Sequence, residues 1–99
     1  MPTVTPDIQP QQATRPEQTT RPLPPYRVIL HNDPVNTFEH VIESIVLLTP
    51  LSVHDAVQRT LEADETGQSL LLVTHRERAE LYGEQFASRK LTVTAEPGE

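Results

Sequence analysis

The hydrophobic pattern changes period abruptly between residues 30 and 38 of this chain. Tyr26 to Leu30 alternates, with Tyr26, Val28 and Leu30 on one side. Phe38, Val41, Ile42, Ile45 and Leu48 then follow at i, i+3, i+4, i+7 and i+10. The first pattern predicts a strand and the second one face of a helix. The ten residues His31-Asn-Asp-Pro-Val-Asn-Thr-Phe-Glu-His40 must therefore turn a strand into a helix. Such junctions present short polar side chains and backbone N–H groups on a rigid support. Asn and Asp commonly bond their own backbone in turns, so turn chemistry and ligand binding both fit Asn32 and Asp33.

The other elements follow from the same rules. Asn36 is the expected N-cap of the first helix, with Glu39 as its capping-box partner and Thr37 as the competing cap. Thr49-Pro50 stops that helix, because a residue before Pro avoids the α region. Ser52 opens a second helix, with Asp55 at the matching box position; Val53, Ala56, Val57, Thr60 and Leu61 form its expected inner stripe, and Gly67 suits a left-handed end. Gln68 to Thr74 is a short continuous apolar run, expected to be a central strand. Thr74, with Glu77, is the expected cap of a third helix, whose buried side is Ala79, Tyr82, Gly83 and Phe86. Gly83 inside a helix costs about 1 kcal/mol against Ala, so close packing is its expected reason. Leu91 to Ala95 alternates and makes a last strand, with Leu91, Val93 and Ala95 inward. The order β-α-α-β-α-β predicts an α+β chain: a two-layer α/β sandwich with a three-stranded antiparallel sheet and helices on one face.

Seven of the ten prolines lie in residues 1–25, among Thr and Gln. Such a segment buries too little apolar surface to offset its ordering entropy. It is expected to be a disordered extension, leaving 26–97 as the folding unit. The net charge of −6 argues against nucleic acid, which needs a basic face. No apolar run reaches membrane-spanning length and no secretory h-region is present, so a cytoplasmic protein is expected. Absence of cysteine removes thiol catalysis and thiolate metal sites. His31, His40, His54 and His75 form no ligand spacing, there is no Gly-rich phosphate loop, and no serine sits in a nucleophile elbow. No enzyme activity, cofactor or metal is expected. Glu62, Asp64 and Glu65 crowd the end of the second helix, where the helix dipole disfavours acids; a cation bound there would account for them.

The run Tyr26-Arg-Val-Ile-Leu-His-Asn-Asp33, the segment Phe38-Glu-His-Val41, the pair Thr66-Gly67 and the segment Arg76-Glu-Arg-Ala-Glu80 together resemble the ClpS family, the adaptors of the ATP-dependent Clp protease. The resemblance spans about residues 25–96. It implies the fold derived above and an adaptor that binds proteins by a free N-terminus with a bulky apolar first residue. Such an adaptor hands its cargo to a Clp AAA+ unfoldase of the ClpA or ClpC type, usually as a monomer, with a flexible N-terminal extension aiding delivery. By the resemblance, Asn32 and Asp33 match the pair that holds the α-ammonium. Phe38 falls at the pocket rim, Val41, Thr60, Ala63 and Leu91 line the pocket, and Glu77 matches an unfoldase contact.

Some positions depart from the family pattern. Asp64 stands where a His is usual, Pro34 where a second Asp is common, and Thr60 and Ala63 where Met and Val are usual. Tyr82 replaces a Lys, and residues 87–90 form a shorter connection. A carboxylate at Asp64 can hold an ammonium as a third member of the site, through charge. In the empty site, Asp33 and Asp64 are expected to repel if they lie close, raising one pKa. The alternatives are a Clp-docking regulator that has lost first-residue recognition, or a generic protein-interaction module.

Overall fold

The alternation at Tyr26–Leu30 sits inside the strand β1, Pro25–His31, in a computed structural model that describes residues 23–98. The expected extension falls largely at 1–22, outside the described residues. Then come α1 (Phe38–Leu48), α2 (Val53–Thr66), β2 (Gln68–His75), α3 (Arg76–Ala87) and β3 (Val93–Pro97). The sheet is antiparallel, in the order β2-β1-β3. Val28 and Leu30 of β1, Leu71 of β2 and Val93 of β3 pack in one cluster with Val41 and Ile45 of α1, Ala56 and Ala63 of α2, and Phe86 of α3. The two-layer α+β architecture is as expected from the element order.

The central strand is β1, not β2. Val28, Ile29 and Leu30 are all buried, whereas Leu70 and Val73 of β2 are exposed. The continuous apolar run in β2 has a different cause. The register jumps from Val28↔Leu72 to Ile29↔Leu70, so Leu71 is the extra residue of a bulge, and it is buried in the core. Ile29 lies outside the core cluster, and its partners Leu70 and Thr94 flank it on the other face of the sheet.

Two helix starts differ from the sequence reading. Thr37, not Asn36, caps α1, its Oγ1 accepting from His40 N at 3.1 Å; the Asn36 side chain is spent on a tertiary contact described below. His75, not Thr74, caps α3, with Nδ1 accepting from Arg78 N, because Thr74 is paired with Tyr26 in the sheet. Ser52 caps α2 as expected, and Gly67 ends it at φ 99°. The inner face of α2 is Ala56, Thr60 and Ala63, while Val53 and Leu61 are exposed. Small side chains let α2 lie close to the sheet, and the larger ones are turned out. Gly83 has its expected reason: a Cβ there would stand 3.1 Å from the carbonyl oxygen of Val93. The last strand begins later than expected, at Val93, and Leu91 precedes it as a buried residue of the connection.

Candidate functional site

The turn after β1 is held at both ends by backbone hydrogen bonds. His31 N donates to Thr92 O at 3.0 Å and Asn32 N to Gly67 O at 2.9 Å. The second bond ties the turn to the end of α2, where left-handed Gly67 aims its carbonyl back at Asn32. Gly67 N in turn donates to Ala63 O.

A cleft opens between these elements. The turn and the end of β1 contribute Leu30, His31, Asn32 and Asp33; α1 contributes Phe38 and Val41; α2 contributes Thr60, Ala63 and Asp64; Leu91 closes the far side. The cavity volume of the cleft is about 20 Å³. Every residue expected to hold an ammonium or line a pocket borders it. Glu77 is elsewhere, exposed in the first turn of α3. Phe38 is 45% exposed, while Val41, Thr60, Ala63 and Leu91 are buried. Thr60 is less polar than its type suggests. Its hydroxyl donates to Ala56 O at 2.8 Å within the helix, leaving the methyl as its contribution to the wall.

Asp33 serves the turn. Oδ1 accepts from Val35 N at 2.8 Å and from Asn36 N at 3.3 Å, and Oδ2 accepts from the Asn36 side-chain amide. The Val35 N–H foremost, then the Asn36 amide, hold its carboxyl below the ordinary value of 3.8, against a smaller opposing effect of burial. The expectation of a raised carboxyl in the empty site therefore fails for Asp33: donors to its charged form lower it, with His40 acting in the same direction. Turn bonding does not exhaust it, because a carboxylate offers about four lone-pair positions. Asn32 and Asp64 are both exposed at the mouth, with polar atoms available to a ligand.

Three contacts near the cleft have no signal in the sequence. The Asn36 amide also donates to Lys90 O at 2.8 Å. Arg89 Nε donates to buried Ser44 Oγ at 2.7 Å, and His40 Nε2 lies 2.8 Å from Arg89 O. Together they pin the α3–β3 connection, in which Lys90 takes φ 69°, onto α1 and so seat Leu91 in the wall. His31, also missed, places Nε2 2.8 Å from Thr94 Oγ1. These partners lie 45 or more residues apart, beyond the reach of any local pattern.

Among the described residues, no helix is long and apolar enough to cross a membrane, and no group of His, Cys, Asp and Glu is placed to hold a metal ion.

The match to known proteins is extensive. Residues 21–94 match the family described as ATP-dependent Clp protease adaptor protein ClpS. The chain is 43% identical over 83 residues to the ATP-dependent Clp protease adapter protein ClpS of Synechococcus sp. (strain CC9902), covering 83% of this chain and 80% of that one. It is 37% identical over 89 residues to the chloroplastic adapter CLPS1 of Chlamydomonas reinhardtii, covering 89% of this chain and 55% of that protein. Among solved structures, Agrobacterium tumefaciens ClpS2 bound to L-phenylalaninamide superposes with a TM-score of 0.71 at 25% identity, over 76% of this chain and 98% of that one. The chain belongs to the ClpS family, the adaptors of the ATP-dependent Clp protease.

Proposed function

We propose that the cleft between the β1–α1 turn and α2 holds the free α-ammonium and the first side chain of a protein bound for degradation. The chain is an N-end rule adaptor of the Clp protease, which takes cargo by a bulky hydrophobic first residue and delivers it to a Clp unfoldase. The observation that carries the site assignment is the meeting of Asn32, Asp33 and Asp64 at the mouth of a cleft whose wall is Val41, Thr60, Ala63 and Leu91. An ammonium has three N–H donors and no acceptor. The Asn32 amide oxygen and the carboxylates of Asp33 and Asp64 are matching acceptors, and bonds between ions are the stronger kind. Phe38 closes over the first side chain, and burial of such a side chain is worth roughly 1.5–3 kcal/mol. L-phenylalaninamide, the ligand of the Agrobacterium protein, carries this combination of a free amine and an apolar side chain.

The wider assignments rest on the family. Exposed Glu77 contacts an unfoldase of the ClpA or ClpC type. Residues 26–97 form the adaptor domain, residues 1–25 an extension that aids delivery, and the protein acts as a cytoplasmic monomer without catalysis of its own.

Peptide binding tests the site. A peptide beginning with free Phe or Leu binds and its N-acetylated form does not; equal binding of both forms would refute the reading. Asp64→Ala weakens the free peptide, and an unaltered affinity would remove Asp64 from the site. A second reading, a Clp-docking regulator without first-residue recognition, is favoured by one observation: three donors already occupy the Asp33 carboxylate. That reading expects neither peptide to bind.

A further inference from the structure

The sequence pattern puts Val53 and Leu61 on the inner face of α2, yet both are exposed. Val53 is not isolated. With Val57 it lines one wall of an open groove, and Ile42, Val46 and Leu47 of α1 line the other. Leu47 is 64% exposed and Val53 60%. Scattered exposed apolar residues need no explanation, but a contiguous apolar surface across two helices marks a docking site. The groove has an acidic rim, Glu39 and Glu43. Arg89 approaches Glu43 only to 4.0 Å, and the Glu43 side chain stays 71% exposed.

The groove adjoins the cleft along both helices. On α1, Ile42 of the groove lies one turn from Phe38 of the cleft; on α2, Val57 lies one turn from Thr60 and two from Asp64. These side chains lie within reach of the second and later residues of a ligand whose first residue sits in the cleft. From Val53 to Asp64, α2 covers about 16 Å at 1.5 Å per residue, which an extended chain spans in about five residues.

We propose that the α1–α2 groove receives the segment following the first residue of a bound protein, roughly residues two to six, and selects there for apolar side chains alternating with Lys or Arg. This rests on the reading that the cleft binds a free N-terminal residue. In an extended segment, alternate side chains point to opposite sides. Apolar ones settle between Val46 and Val53, and cationic ones reach Glu39 and Glu43. The same acids disfavour a second copy of the chain on this face, since the rims of both copies would bring like charges into one interface.

The test compares three ligands on the full chain by calorimetry: L-phenylalaninamide, a seven-residue peptide of Phe followed by Leu, Val, Lys and Arg residues, and one of Phe followed by Ser, Gly and Asp residues. The apolar–basic peptide is expected to bind roughly tenfold tighter than the acidic one. Leu47→Lys with Val53→Lys, both at exposed positions, removes the apolar surface and opposes the acidic rim, and should abolish that difference and leave L-phenylalaninamide unaffected. Equal affinity for the two peptides, or a difference that survives the double variant, overturns the groove assignment while first-residue binding stands. Failure of all three ligands, L-phenylalaninamide included, is instead a failure of the cleft reading and takes the groove with it. A dimer seen by sedimentation in the parent chain and lost in the double variant would assign the face to a second copy and overturn the proposal.

Discussion

The side-chain amide of Asn36 donates to the backbone carbonyl of Lys90, 54 residues away, at 2.8 Å. The same nitrogen donates to the Asp33 carboxylate. One side chain thereby joins the turn carrying Asn32 and Asp33 to the connection carrying Leu91, so that the polar mouth and the apolar wall of the cleft are held as a unit. Asn36→Ala removes both bonds. The part-buried, charge-assisted one alone is worth roughly 1.5–3 kcal/mol, and partial exposure places the expected loss near the low end, about 1.5 kcal/mol. Urea unfolding should show a lower midpoint at unchanged slope, and the variant should lose affinity for a peptide with a free Phe N-terminus.

The Asp33 carboxyl has a folded-state pKa below its ordinary 3.8, chiefly through the Val35 N–H and the Asn36 amide. A depressed carboxyl contributes stability that is fully present above the unfolded value. That stability is lost as pH falls below 3.8 and through the lower folded value. Stability measured by denaturant unfolding should therefore fall with pH in this acid range, and Asp33→Asn should flatten that part of the profile. An equal acid slope in parent and variant would show that Asp33 does not carry it.

Gly67 ends α2 at φ 99°, and a Cβ added there would meet nothing within 4 Å. The cost of Gly67→Ala is then backbone strain alone, about 1–2 kcal/mol for an L-residue in the left-handed region. Thermal unfolding should show a lower midpoint. Ligand affinity should fall as well, because Gly67 O is the acceptor that positions Asn32 N.

If Asp33 and Asp64 both face the ligand ammonium, affinity depends on charge at an exposed mouth and is screened by salt. Raising ionic strength should weaken binding of the free-amine peptide. Asp64→Asn should weaken binding at low salt and reduce the salt dependence, as seen by titration at two salt concentrations.

The elements and their order are legible in the chain because each rests on local periodicity: alternation at Tyr26–Leu30, the helical spacing from Phe38 to Leu48, the left-handed end at Gly67. The cleft's polar and apolar members could also be named from the sequence, by resemblance to a family. Caps were less legible. Asn36 has the right chemistry to cap α1, but a distant carbonyl competes for it, and Thr37 takes the role. Thr74 likewise yields to His75 once the sheet claims it.

What the sequence by itself determined is the set of elements, because helix and strand periods are properties of neighbours in the chain. It also supplied Asn32, Asp33 and Asp64 as candidate acceptors, by resemblance to a family pattern, because acceptor chemistry belongs to residue type. The tertiary structure alone decided that β1 is central and β2 an edge, since strand order depends on which edges meet. It alone decided that Val53 and Leu61 face out, since small Ala56 and Ala63 admit a closer approach to the sheet. The seating of Leu91 through Asn36, Ser44 and Arg89 is likewise tertiary. Those bonds join residues whose nearness exists only after the helices have packed, and no short-range pattern encodes them.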